Sequence, residues 1–223
     1  MFNIIRSYPE PLDLSRKVYN SPEIVDQLRG IFYDKCYLCE QGDLSDPEVE
    51  HFLPHGGSDE LLYGWDNLFY SCSRCNSIKS NTHVNLLNCA SNDVDVFEEI
   101  IHLAGNSVNG IIDVRPSSDE PTQETLNTVE LLRKCYNSEN TGFRGITKEN
   151  LMEKIQNDFA YYTELRMVLA NLRSTEEQII QAIDRMKVIC RPSYPFSVFW
   201  RWHILTDTRL NRIHNNIRQL LDF

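Results

Sequence analysis

Among 223 residues no stretch approaches the ~20 consecutive apolar residues needed to cross a bilayer. The N-terminus lacks the basic, apolar, small-residue order of a secretory signal. Both absences lead us to expect a cytoplasmic protein with no membrane association. There are no repeats, no low-complexity tracts and no Gly-rich phosphate loop. An excess of positive charge is also missing: the net charge is −10, which argues against a free-standing nonspecific polyanion binder. That deficit is uneven. From residue 191 to 223 five arginines face Asp207 and Asp222, a local excess of +3, so residues 1–190 carry −13. With 41% hydrophobic and 24% charged residues, the rest is ordinary for a globular protein of one large domain or two small ones.

What the chain does have is seven cysteines, four of them in two C-x2-C pairs. Cys36 and Cys39 open a stretch that Cys72 and Cys75 close, with 32 residues between Cys39 and Cys72. In a reducing compartment such pairs are read as metal ligands, because each tight knuckle lets two thiolates reach one ion. Two knuckles predict a closed, tetrahedral, structural zinc site; four scattered core thiols are the plainer alternative. Cys89, Cys135 and Cys190 lie in apolar surroundings and are expected as buried thiols.

Between the knuckles, residues 47–52 read as a strand ending in Glu50 and His51, and 67–70 as a second strand running into Cys72. Residues 75–81 have helical character, and Gly56-Gly57 reads as a turn. Strand, loop, strand and helix around one ion is the layout of a ββα-metal finger. Glu50-His51 with Pro54, Asn67-Leu68, and Cys72-x2-Cys75-Asn76 with Lys79 resemble the HNH endonucleases, and the cysteine pairs resemble their zinc-bound subset.

The resemblance implies roles. His51 matches the general base, with a zinc-ligand or structural histidine as its alternatives. Glu50, where the family often has Asp, matches a ligand of a catalytic divalent ion, Mg2+ or Mn2+. Asn67 matches the asparagine that holds the base-bearing loop, Asn76 the last motif position and a ligand of the ion, and Lys79 a basic residue near the phosphate. His55 is either a further contact to phosphate or metal or an exposed loop histidine; His83 is expected on the surface. More narrowly, residues 33–40, Glu50-His51, Trp65-Asp66-Asn67 and Asp119-Glu120-Pro121 resemble the HNH effector subunits of retron and Septu anti-phage defence systems. That similarity implies an ABC-type ATPase partner, a nucleic-acid substrate (DNA favoured, RNA such as tRNA the alternative) and a retron RNA–DNA complex as a further partner. A stand-alone restriction endonuclease and a catalytically dead zinc-ribbon module are the competing readings.

Elsewhere the pattern is helical, giving an α+β expectation: a zinc-stabilised finger within residues 1–90, then a helical region, 91–223, for packing and partner or substrate contacts. Ser21-Pro22-Glu23 starts a helix. Asp93 to Gly105 reads as a second, followed by a turn at Asn109-Gly110 and a strand over 111–114. A helix ends near Tyr136 and a linker covers Ser138–Gly145. Thr147 caps a long helix, Ser174 and Glu177 form a capping box, and 196–221 reads as one helix, bent near Thr206. The aromatics of 194–202 are expected as core, with a base-stacking platform as the alternative. Arg209 and Arg212 share a face that meets phosphate, an acidic partner or solvent.

Overall fold

The computed structural model describes residues 1–105, 110–139 and 147–223. Asn109 of the turn expected at Asn109-Gly110, and most of the expected 138–145 linker, lie outside them.

A short helix α1 (Leu12–Ser15) precedes α2 (Pro22–Ile31). The Ser21 hydroxyl accepts from the Ile24 amide and Pro22 fills the first position, so the expected cap is present. Ile24, Leu28 and Ile31 recur on the buried face of α2, which lies on the following hairpin. The chain then folds tightly: the Glu40 amide donates to the Cys36 carbonyl (2.9 Å) and the Cys36 amide to the Gln41 carbonyl (3.0 Å). This is the first knuckle.

Strand β1 (Pro47–His51) pairs antiparallel with β2 (Leu68–Cys72), Pro47 opposite Cys72 and His51 opposite Leu68. Between them run α3 (Asp59–Leu62) and a 3-10 turn (Trp65–Asn67). Every residue of β2 is buried, so the hairpin is sandwiched rather than half-solvated. Helix α4 (Ser73–Lys79) follows at once and is capped by a thiol, Cys72 Sγ accepting from the Cys75 amide. Buried Arg74 donates to the carbonyls of Cys135 and Ser138, which pins α4 to the end of a later helix.

The second sheet departs from expectation. In place of a helix from Asp93 to Gly105 there is one turn, α5 (Val96–Glu99), and then strand β3 (Ile100–Leu103), paired antiparallel with β4 (Asp113–Pro116). Ile100 and His102 are buried while Ile101 and Leu103 are half-buried, an alternation of period two that β-branched residues favour. The apolar positions fit both periods, and β4 decides between them.

The remainder is helical: α6 (Gln123–Asn137), α7 (Lys148–Ala170), α8 (Glu176–Ile189), α9 (Ser197–Thr206), α10 (Thr208–Ile213) and α11 (Ile217–Leu220). Thr147 caps α7 as expected. The capping box of α8 sits one residue later than expected, on Thr175 and Gln178. The expected terminal helix is three pieces, because Asp207 accepts from the amides of Arg209 and Leu210 and starts α10, and Asn216 adopts a left-handed φ of 55° before α11. Phe196, Phe199, Trp200 and Trp202 are buried, so these aromatics form core. Arg209 sends two guanidinium nitrogens to the Ala170 carbonyl, closing the end of α7. One hydrophobic core takes in Phe32, Phe69, Val96, Leu132, Leu165 and Phe199, and so spans both sides of residue 90. Among the described residues no helix is long and apolar enough to cross a membrane.

Candidate functional site

The hairpin register places two clusters at opposite ends. Cys72, at the Pro47 end, and Cys75, one turn into α4, meet the Cys36 and Cys39 knuckle. All four Sγ atoms lie within 4.8 Å of one another and all four side chains are buried. Cys39 and Cys72 Sγ are 3.9 Å apart. A tetrahedral ion with Zn–S bonds of about 2.3 Å has S–S edges of about 3.8 Å, so the cluster fits zinc. Its electrostatics agree. Burial works against a Cys36 thiolate, yet hydrogen bonds from Cys39, Cys72 and Cys75 pull it well below the usual thiol range. Cys39 is pushed up, chiefly by Cys36. A divalent cation would let such crowded thiols ionise together.

At the other end, β1 delivers Glu50 and His51 to opposite faces. His51 is half-buried. Its Nε2 is 3.0 Å from the Leu62 carbonyl oxygen, which can only accept, so Nε2 carries the proton and Nδ1 is left as an acceptor. The imidazole sits between Tyr19, edge-on at 4.9 Å, and His55 at 5.0 Å. Burial holds the His51 pKa below the usual imidazole range, with His55 and Lys79 adding to the effect and the Leu62 bond opposing it. The lowering favours the neutral ring.

The loop carrying that carbonyl is organised by Asn67. Its Oδ1 accepts from the Leu53 amide (2.7 Å), and its Nδ2 donates to the carbonyls of Leu53 (2.9 Å) and Leu61 (2.8 Å). One buried amide thus spans both ends of the segment that begins after His51 and supplies Leu62. Within it, Gly56 and Gly57 both have positive φ, in keeping with a turn, and His55 Nδ1 accepts from the Gly57 amide.

On the far face of β1 the structure couples α4 to the strand twice. Lys79 is 1% exposed, and its ammonium donates to Glu50 Oε1 (2.5 Å) and the His51 carbonyl (2.8 Å). The ammonium supplies the counter-charge that the buried Glu50 carboxylate needs. Burial nevertheless pushes the Glu50 pKa up to about 7, against the opposing pull of Lys79. One turn earlier, Asn76 Nδ2 donates to Glu48 Oε2 (2.5 Å). Glu48 is a site residue that sequence reasoning missed; the only signal was its two-residue spacing from Glu50, which puts both carboxylates on one strand face. His83 lies apart, 3.4 Å from the Lys134 ammonium.

This is a mixed helix and small-sheet chain with a four-cysteine cluster that can bind zinc at one end of a hairpin, a Glu48–Asn76 pair beside it, and Glu50 with His51 at the other end. No family model matches the chain. Over 77 residues the chain is 38% identical to the Septu protein PtuB of Bacillus thuringiensis, an alignment covering 33% of this chain and 30% of that protein. The chain thus matches under a third of PtuB's length.

Proposed function

We propose that this chain is a metal-dependent HNH endonuclease that hydrolyses nucleic-acid phosphodiester bonds, as the nuclease subunit of an ATPase-controlled anti-phage defence complex in the cytoplasm. The observation that carries the reading is the His51 imidazole, fixed by a backbone carbonyl at Nε2 and with Nδ1 left to accept a proton. The partial likeness to PtuB supports the defence context. Residues 1–90 act as the nuclease centre and 91–223 as the surface for partner and substrate.

In this mechanism Nδ1 of His51 takes a proton from a water molecule as the water oxygen attacks phosphorus and the P–O bond to the leaving oxygen breaks. Asn67 keeps the Leu62 carbonyl in place, so the imidazole presents the correct tautomer. Glu50 on β1 and Asn76 on α4 supply a carboxylate and an amide oxygen that would hold Mg2+ or Mn2+. When bound, that ion supplies charge stabilisation at the leaving oxygen. Lys79 fixes Glu50 and is the basic residue near the phosphate. An acidic chain gains little from counterion release, so a partner of the ABC ATPase type brings the nucleic acid. DNA is the favoured substrate; tRNA and a retron RNA–DNA complex are the further candidates.

The test is cleavage of duplex DNA, single-stranded DNA and tRNA in Mg2+, with and without a co-purified neighbour. Cleavage that needs the neighbour, and that stops when Mg2+ is chelated, is the expected result. Full zinc with no cleavage in any arm would mean a zinc-ribbon binding module. Unaided, sequence-specific cutting of duplex DNA at physiological salt would mean a stand-alone restriction enzyme.

A further inference from the structure

The pairing of Glu48 with Asn76 has a chemical consequence. A side-chain amide presents two different faces, an NH2 that donates and an oxygen that accepts. An ionised carboxylate only accepts. Asn76 turns its NH2 toward the strand and donates from Nδ2 to Glu48 Oε2 (2.5 Å). The amide oxygen is then the face left for anything else. The orientation follows from the partner's chemistry rather than from telling nitrogen and oxygen apart.

The surrounding pattern gives this bond its place. Glu48 and Glu50 lie two residues apart on one face of β1, a spacing of about 6.6 Å. Asn76 and Lys79 lie three apart on α4, about 4.5 Å along its axis. The strand and helix therefore meet in two parallel links, Glu48–Asn76 and Glu50–Lys79. In each, a group outside the expected ion-binding pair holds one atom of a group inside it. Lys79 takes Oε1 of Glu50, and Glu48 takes Nδ2 of Asn76. Arg74, buried and bonded to the Cys135 and Ser138 carbonyls, keeps α4 from rotating away.

We propose that Glu48 is a positioning residue: it sets the Asn76 amide so that Oδ1, and not the NH2, is offered to the divalent cation. This rests on the reading of Glu50 and Asn76 as the ion's ligands. Glu48 acts through Asn76 and is not itself a ligand. Removing groups that orient metal ligands costs about 10–100-fold in metal affinity, and that range sets the expected effect.

The experiment is Mn2+ binding to the full, zinc-loaded chain without nucleic acid, by calorimetry or electron paramagnetic resonance. The proteins are wild type, Glu50→Ala, Glu48→Ala, Glu48→Gln, Asn76→Ala and the Glu48→Ala/Asn76→Ala double variant, each checked for zinc content and Tm. We expect Glu48→Ala to weaken Mn2+ about 10-fold, and Glu48→Gln to weaken it less, since a glutamine no longer forces the amide's orientation. In the Asn76→Ala background, Glu48→Ala should change nothing further, because its effect passes through the amide. A full additional loss in that background would show that Glu48 acts by its own charge or as a ligand, and would overturn the inference alone. So would Glu48→Ala binding Mn2+ like wild type while Glu50→Ala does not. If Glu50→Ala binds Mn2+ as well as wild type, or wild type does not bind it, the ion site itself is wrong and the inference goes with it.

Discussion

The two ends of one five-residue hairpin solve opposite problems. At the Pro47–Cys72 end, four buried thiols converge with their sulfurs within 4.8 Å of one another, a closed set that leaves no position for a substrate. At the His51–Leu68 end, each chemically useful group is held by one side and left free on the other. His51 is held at Nε2 and Glu50 at Oε1. A closed site supports the fold, and a half-held site is what chemistry requires. Separation along the strand, about 13 Å at 3.3 Å per residue, lets each be built without compromising the other.

Breaking the closed end should have the largest effect. Structural zinc in small sites carries roughly 10 kcal/mol of apparent binding energy, and here it would join the knuckle, β2 and α4. Cys39→Ser or Cys72→Ser should yield insoluble or protease-sensitive protein, seen by limited proteolysis together with metal analysis. Native protein without stoichiometric zinc would contradict this.

Lys79 comes next. Lys79→Met leaves the buried Glu50 carboxylate without its partner, a change that typically costs about 3–5 kcal/mol. Denaturant unfolding should show the loss, with zinc still bound. Retained stability would mean that the ammonium is not what satisfies Glu50.

Asn67→Ala removes three bonds from one loop. Leaving buried backbone groups unpaired costs about 1–3 kcal/mol. Because the loop positions Leu62, cleavage should fall about 10–100-fold, while Cys-bound zinc is untouched. Hydrogen exchange across residues 53–62 should rise; unchanged exchange would remove Asn67 from its role as loop anchor.

The smallest effect lies outside the hairpin. His203, on α9, accepts the Ala104 amide at Nε2 (3.0 Å), a bond only the neutral ring can make. Burial lowers its pKa to about 4. The unfolded chain binds this proton near pH 6.5 and the folded chain near pH 4, so the contribution is full above pH 6.5 and is lost as pH falls toward 4. Compared with wild type, His203→Gln should show a flatter stability profile between pH 6.5 and 4 in thermal unfolding. An unchanged slope would assign the acid sensitivity elsewhere.

What could be read from the sequence divides along the same line. The cysteine end was legible because C-x2-C spacing is local and the knuckles need nothing else to be recognised. Ser21, Thr147 and the apolar spacing of the long helix were legible for the same reason. The other end was legible only as a set of residue types. Glu48 and Asn76 are 28 residues apart, and their pairing depends on how α4 packs across β1. Lysine is almost always exposed, so nothing local announced that Lys79 would be buried against Glu50. The carbonyl of Leu62 has no side-chain signature at all. Between Asp93 and Gly105, apolar positions compatible with both periods gave a helix where pairing with β4 makes a strand.

The central claim is that the two ends are separable, one for folding and one for chemistry. The direct measurement is cleavage by the His51→Ala protein, assayed on the preferred substrate beside its zinc content and Tm. The account predicts wild-type zinc, near wild-type Tm and a rate lower by about 10²–10⁴-fold that added Mg2+ or Mn2+ does not restore. Cleavage at the wild-type rate with zinc in place would contradict it and leave the whole hairpin a structural element.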